Sequence, residues 1–113
     1  MITIYHNPRC SKSREGVAFL EDRNIEYQTI KYLETPFTYE TLSDMIQKLG
    51  IAPVELVRTK ETIWKEQYKD KKLSDKEVIE AMVQHPTLIE RPIIVNGSKA
   101  VIGRPIKRVL EII

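Results

Sequence analysis

ITIYHNPRCSKSREGVAFL, residues 2–20, begins with a short apolar run, passes through a polar loop and ends in an amphipathic segment. The β-branched and aromatic residues 2–5 predict a strand, and the Asn-Pro pair that follows predicts a loop. Apolar residues recur at helical spacing over residues 11–23. Residues 27–32 predict a second strand beside the first. This part of the chain therefore predicts a βαβ unit with a right-handed crossover.

The middle of the chain has the pattern of several helices. Apolar residues at helical spacing follow Thr38, and Gly50 stands where a residue that ends a helix belongs. Ser74, with Glu77 three residues later, is a capping-box signal for another helix. Two shorter helical pieces are predicted between these helices, at residues 53–57 and 61–68.

The end of the chain returns to strands. Residues 93–95 and 100–102 flank Asn96-Gly97, a dipeptide that is typical of a tight hairpin turn. A short last helix is expected after Pro105, with one apolar face formed by Ile106, Val109, Leu110 and Ile113.

The predicted order is βαβ, a helical block, then ββα. It indicates an α/β protein with a thioredoxin-like core and a helical insertion between the two halves. Because 113 residues are close to the modal size of one domain and too few for two comfortable cores, we expect a single domain over residues 1–113. The insertion is placed at about residues 38–84.

Composition excludes several classes of protein. Hydrophobic residues make up 42% of the chain and charged residues 30%, and no apolar run approaches the ~20 residues that a membrane span requires. The first ten residues have no secretion signal, so we expect a cytoplasmic protein. A net charge of +2 gives no reason to expect nucleic acid as a partner.

Cys10 is the only cysteine, which excludes an internal disulfide, a CxxC redox pair and a thiolate metal site, so no metal is expected. It is predicted to stand just before a helix, where free backbone N–H groups favour an anion. Its neighbours Arg9, Lys12 and Arg14, with His6 upstream, would lower the pKa of the thiol further. We interpret Cys10 as a reactive thiolate, and the same loop also suits a bound oxyanion.

Motifs along the whole chain carry a resemblance to a known family. The chain resembles the glutaredoxin-linked arsenate reductases of the thioredoxin-fold type, which are also related to the Spx-type regulators. The resemblance rests on HNPRC at residues 6–10 with Ser13 and Arg14, LVR at 56–58, HP at 85–86, ERPIIV at 90–95 and GRP at 103–105.

The resemblance implies a mechanism that needs one cysteine. The thiolate of Cys10 would attack arsenate, glutathione would displace the adduct, and glutaredoxin would resolve the mixed disulfide so that arsenite leaves. No bound cofactor is implied, since glutathione acts as a thiol co-substrate. A chain without a resolving cysteine also depends on an external thiol for its regeneration.

The resemblance also assigns roles to residues. Arg58, Arg91 and Arg104 would bind the oxyanion, for which the planar fork of arginine is well suited. His6 would help to lower the thiol pKa, and Ser13 would donate a hydrogen bond to the thiolate. The bond between Arg91 and Pro92 is a plausible cis peptide bond, as thioredoxin-fold proteins place one opposite the active-site loop.

Two other functions stay open at this point. An Spx-like regulator that binds RNA polymerase would usually carry CxxC, where this chain has Cys10-Ser11-Lys12-Ser13. A glutathione-dependent thiol oxidoreductase with another substrate needs the same groups, and Arg9 beside the cysteine could shift substrate preference.

Overall fold

The computed structural model describes residues 1–113 and divides the chain into two units. The first unit comprises Met1–Thr35 and Arg91–Ile113, and the second comprises Pro36–Glu90. The helical insertion expected at about residues 38–84 lies within the second unit, which extends slightly beyond it on both sides. That the two units form one domain stays a prediction.

A four-stranded sheet is the framework of the first unit, with the strand order β2-β1-β3-β4. Strands β1 and β2 are parallel, whereas β3 lies antiparallel to both β1 and β4. Helix α1, Ser11–Asp22, connects β1 to β2, as the βαβ prediction requires. The strands are β1 Ile2–His6, β2 Tyr27–Lys31, β3 Ile93–Asn96 and β4 Lys99–Ile102.

The core of the first unit is built from alternate strand residues and one face of α1. Ile4, Ile94 and Leu20 are fully buried and pack in one apolar cluster. Helix α1 lies close to this cluster because Gly16 has no side chain. A Cβ atom at that position would lie 3.0 Å from Ile4 Cδ1 and 3.1 Å from Pro92 Cγ.

The second unit is helical, as predicted. Thr38 caps its first helix through a reciprocal pair of hydrogen bonds with Thr41, and Gly50 ends that helix with a left-handed φ of 67°. The predicted capping box of Ser74 and Glu77 is also present. The helices are α2 Tyr39–Leu49, α3 Thr62–Gln67 and α4 Asp75–Gln84, with 3₁₀ turns at Pro53–Leu56 and Pro86–Leu88.

The hairpin is confirmed, but its turn lies one residue further on than predicted. Asn96 pairs with Lys99, so the two loop residues are Gly97 and Ser98. Gly97 has a φ of 63°, a backbone conformation that glycine adopts without steric cost.

The last helix was predicted with the wrong period. Ile106–Glu111 is a 3₁₀ helix, in which residues three apart share a face. Val109 and Ile112 are therefore buried, whereas Leu110 and Ile113, which were expected on the apolar face, are exposed. No helix in the chain is both long and apolar enough to cross a bilayer.

Candidate active site at the β1–α1 loop

The loop between β1 and α1 is held in place by its own hydrogen bonds. The Cys10 backbone N–H donates to the Asn7 carbonyl at 3.0 Å, and the Arg9 N–H donates to Asn7 Oδ1 at 3.0 Å. At the other side of the loop, Arg14 Nη1 donates to the Pro8 carbonyl at 2.8 Å. These bonds fix Cys10 immediately before the first residue of α1, as the sequence predicted.

Ser13 and His6 form a buried pair beneath this loop. Ser13 Oγ is fully buried, accepts a hydrogen bond from the Asn7 backbone N–H at 2.9 Å and lies 2.6 Å from His6 Nδ1. Burial of the imidazole, and then the charge of Lys31, lower the pKa of His6 below 6.5 despite the opposing effect of Ser13. The imidazole is therefore neutral near pH 7, and it shares one hydrogen bond with the Ser13 hydroxyl, whose donor is set by the tautomer of His6.

The surroundings of the Cys10 thiol favour its anionic form. Burial raises the pKa of Cys10, but the Arg91 guanidinium, which donates a hydrogen bond to the thiol and is positively charged, lowers it. The backbone N–H groups of Ser13 and Lys12, at the start of α1, lower it further, and the balance is a pKa below the ordinary 9.0. Arg104 Nη2 lies 3.8 Å from Cys10 Sγ.

The hairpin brings two of the predicted arginines together. Arg91 precedes β3 and Arg104 follows β4, and antiparallel pairing places these two ends side by side. Arg104 Nε donates to the Arg91 carbonyl at 2.7 Å, and the Gly103 N–H donates to the Pro92 carbonyl at 2.8 Å. The bonds Arg91–Pro92 and Arg104–Pro105 are both cis.

The third predicted arginine, Arg58, lies in the second unit. Its side chain pairs with Glu61 and lies 3.7 Å from Glu90 Oε1, and its backbone N–H donates to the Leu88 carbonyl. Two carboxylates thus neutralise its charge locally. Its expected role in binding the oxyanion stays a prediction.

Two residues of the quoted motifs have structural roles that the sequence analysis did not predict. Asn7 organises the loop through its side-chain carbonyl and its backbone, and an Asn before proline is a known turn former. Arg14 was expected to act on the thiol by its charge, and its guanidinium also binds the loop carbonyl of Pro8. No local sequence pattern predicts this contact between the Arg14 side chain and the Pro8 carbonyl.

Fold and site together define a class of protein: a thioredoxin-like α/β protein with one cysteine, whose pKa is lowered, before its first helix. A model of the ArsC family matches residues 5–112, and the chain belongs to this family. It is 48% identical over 114 residues to an uncharacterised protein, YfgD, of Escherichia coli K12, with 99% of this chain and 96% of that protein covered.

Other relatives have been named by activity. The chain is 45% identical over 114 residues to an arsenate reductase of Haemophilus influenzae, with 99% and 98% of the two chains covered. Its structure resembles that of an arsenate reductase from Vibrio cholerae with a TM-score of 0.93 and 49% identity, covering 99% of this chain and 97% of that one.

Proposed function

We propose that this protein is an arsenate reductase that uses Cys10 as its nucleophile and regenerates it with glutathione and glutaredoxin. The observation that carries the proposal is the position of the Cys10 thiol beside the guanidinium groups of Arg91 and Arg104, in surroundings that lower its pKa. An arsenate reductase among the relatives, at 45% identity over nearly the full chain, supports arsenate as the substrate.

The first step is nucleophilic attack on arsenic. The Cys10 thiolate forms an S–As bond to arsenate, an As–O bond breaks, and the oxygen leaves as water after taking up protons. Arsenic stays in the As(V) state in this adduct. Arg91 and Arg104 stabilise the negative charge that gathers on the arsenate oxygens, because guanidinium groups match oxyanions with paired donors.

The second step transfers two electrons. The glutathione thiolate attacks the Cys10 sulfur, an S–S bond forms, and the S–As bond breaks with its electron pair going to arsenic. Arsenic leaves as arsenite, As(III), and Cys10 is left as a mixed disulfide with glutathione. A glutaredoxin thiol then attacks the glutathione sulfur and releases the Cys10 thiolate, since the chain has no second cysteine to do so.

The remaining predicted residues have supporting roles in the proposal. Ser13 acts on the thiol through its backbone N–H, while its hydroxyl joins His6 to the loop. We assign His6 a positioning role, because a neutral imidazole does not stabilise the thiolate as a cation would. Arg58 is proposed as a third oxyanion ligand. A cytoplasmic location belongs to the same proposal, because thiols stay reduced there.

The test is NADPH oxidation coupled through glutathione reductase, with arsenate, glutathione and glutaredoxin present. We expect arsenate-dependent turnover that Cys10→Ser abolishes and that Ser11→Ala, a change at the exposed neighbouring serine, leaves intact. Circular dichroism should show both variants folded. Turnover without arsenate, on small disulfides, would instead favour a general thiol oxidoreductase, and activity retained in Cys10→Ser would refute the nucleophile.

A further inference from the structure

A cavity of about 390 Å³ lies in the first unit between the start of α1 and the loop that follows β4. Its volume falls within the range that small-molecule sites occupy. Its lining residues are Lys12, Glu15, Gly103, Arg104, Pro105 and Ile106.

Two of the residues that line this cavity connect it to the surroundings of the Cys10 thiol. Arg104 lines the cavity and places its Nη2 3.8 Å from Cys10 Sγ. Lys12 lines it from the first turn of α1, two residues after the N-cap residue Cys10, and its backbone N–H is one of the groups that lower the pKa of the thiol. A ligand held in the cavity can therefore present a reactive atom to the Cys10 sulfur.

The charges of the lining identify the chemistry of a suitable ligand. Lys12 and Arg104 are cations and Glu15 is an anion, so the lining has a net charge of +1 at neutral pH. Lys12 Nζ lies 3.5 Å from Glu15 Oε2, and both side chains are about half exposed, at 54% and 55%, and so accessible to a ligand. Pro105 and Ile106 add apolar surface.

Glutathione carries the complementary set of charges. It has two carboxylates and one ammonium group, for a net charge of −1, together with the thiol that the reaction requires. Its carboxylates suit Lys12 and Arg104, and its ammonium group suits Glu15. A guanidinium has five N–H donors, so Arg104 is able to contact a carboxylate as well as the thiol.

We propose that this cavity binds glutathione and directs its thiol to the Cys10 sulfur. The inference rests on the proposed function, since it specifies where that reaction's thiol donor binds. A second cavity, of about 320 Å³, adjoins the other side of the loop and is lined partly by Arg9, Lys31 and Glu34. None of its lining residues is among the groups that act on the Cys10 sulfur.

The experiment measures thiol exchange at Cys10 without arsenate. Cys10 is first converted to its mixed disulfide with 2-thiopyridine. Added glutathione attacks the Cys10 sulfur, the bond to 2-thiopyridine breaks, and the released 2-thiopyridone is followed by its absorbance. We expect the rate to saturate with glutathione concentration and to stay linear with 2-mercaptoethanol, which has no charged groups for the cavity.

Glu15→Gln is the most informative variant. Loss of the partner for the ammonium group should raise the half-saturating glutathione concentration about fivefold, as expected for one exposed ion pair. Simple attraction of an anion predicts the opposite, because the variant is more positive than the parent. N-acetylglutathione lacks the ammonium group. With this thiol, the half-saturating concentration for Glu15→Gln should be no higher than that for the parent.

Two lysine variants test which of the two cavities binds glutathione, because Lys12 lines the first and Lys31 lines the second. Lys12→Gln should lower the ratio of glutathione to 2-mercaptoethanol exchange rates about fivefold, whereas Lys31→Gln, in the second cavity, should leave that ratio unchanged. A linear glutathione dependence in the parent, tighter glutathione binding in Glu15→Gln, or a fall confined to Lys31→Gln would each overturn the inference. Because arsenate is absent, these outcomes are independent of whether the protein reduces arsenate.

Discussion

The Cys10 side chain occupies a site where opposing effects act on the same proton. Partial burial favours the neutral thiol, but a charged guanidinium and the backbone N–H groups at the start of α1 favour the thiolate more. Reactivity at this residue therefore depends on Arg91, which lies far away in the sequence. The single cysteine makes this dependence simple to measure.

Arg91→Ala is expected to raise the pKa of the Cys10 thiol, because it removes both a hydrogen bond and a positive charge. The midpoint of the pH dependence of iodoacetamide alkylation should move upward, since alkylation requires the thiolate. Arsenate-dependent kcat/KM should fall about 100-fold, as expected for the loss of one donor to a developing charge.

Arg108→Ala is the matched control for that variant. Arg108 pairs only at the surface, with its Nε 3.5 Å from Glu111 Oε2. Its loss should leave the alkylation profile in place and change the free energy of unfolding by no more than about 0.5 kcal/mol. An unchanged profile in Arg91→Ala would contradict the role assigned to that residue.

His6 links stability to pH. Its pKa is lowered in the folded protein, first by burial and then by Lys31, so the unfolded chain binds the proton more readily. The stability contributed by the neutral imidazole is complete above pH 6.5 and is lost as the pH falls through the folded pKa. Urea unfolding of the parent should therefore show a falling free energy of unfolding below pH 6.5.

His6→Asn should lose this pH dependence, because asparagine keeps a polar group in place but does not titrate. His85→Asn, in the second unit, is the corresponding control at the other histidine. If parent and His6→Asn have parallel pH profiles between pH 5 and 7, the buried neutral state of His6 is wrong.

At the scale of elements, the β3–β4 hairpin positions two charged groups by pairing one strand with the next. Its end is packed tightly around Gly103, where a Cβ atom would lie 2.7 Å from Ile94 Cδ1 and 2.9 Å from Ile106 Cδ1. Ile94 is fully buried and has little room to move. The residue before Arg104 is therefore small for a packing reason.

Gly103→Ala should destabilise the protein by about 1–3 kcal/mol, as expected for overpacking in a dense core. Lys99→Ala, on an exposed position of the same hairpin, should stay within about 0.5 kcal/mol of the parent. Both values are read from urea unfolding followed by circular dichroism. Equal free energies of unfolding for the two variants would show that the side chains around Gly103 can move aside for a methyl group without loss of stability.

At the scale of the molecule, two unique residues report on the two units. Cys10 lies in the first unit and Trp64, the only tryptophan, lies in the second. Each unit contains about half of the 113 residues, a size at which an isolated core is marginal. The first unit is also discontinuous in sequence, because its strands β3 and β4 follow the second unit.

We therefore expect the two units to unfold together. Tryptophan fluorescence and the reactivity of the Cys10 thiol should give coincident urea transitions, which is a standard test of two-state behaviour. Separate midpoints would contradict the single domain predicted from the length of the chain. In the control variant Trp64→Phe, urea unfolding is followed by the reactivity of Cys10 alone, which shows whether the indole ring itself affects stability.

Much of the architecture is encoded by neighbours in sequence. The β-branched run of the first strand, the helical spacing after Thr38, the capping box at Ser74 and the glycine at position 50 are patterns among close neighbours, and these predictions agree with the structure. Cys10 before α1 follows from the same local logic. The last helix was misjudged because apolar residues at positions 106, 109, 110 and 113 fit an α-helical period, whereas the buried pair there follows a period of three.

The site itself depends on contacts that no local pattern contains. Arg104 and Cys10 are 94 positions apart, and their side chains meet because β3 lies beside β1 and turns back into β4. The neutral state of His6 likewise depends on burial and on Lys31 at the end of the neighbouring strand. Spacing along the chain specifies helices, strands and their ends, because their hydrogen bonds are short in sequence. Only tertiary packing determines which charges surround the thiol, because burial and electrostatic interactions depend on distance in space.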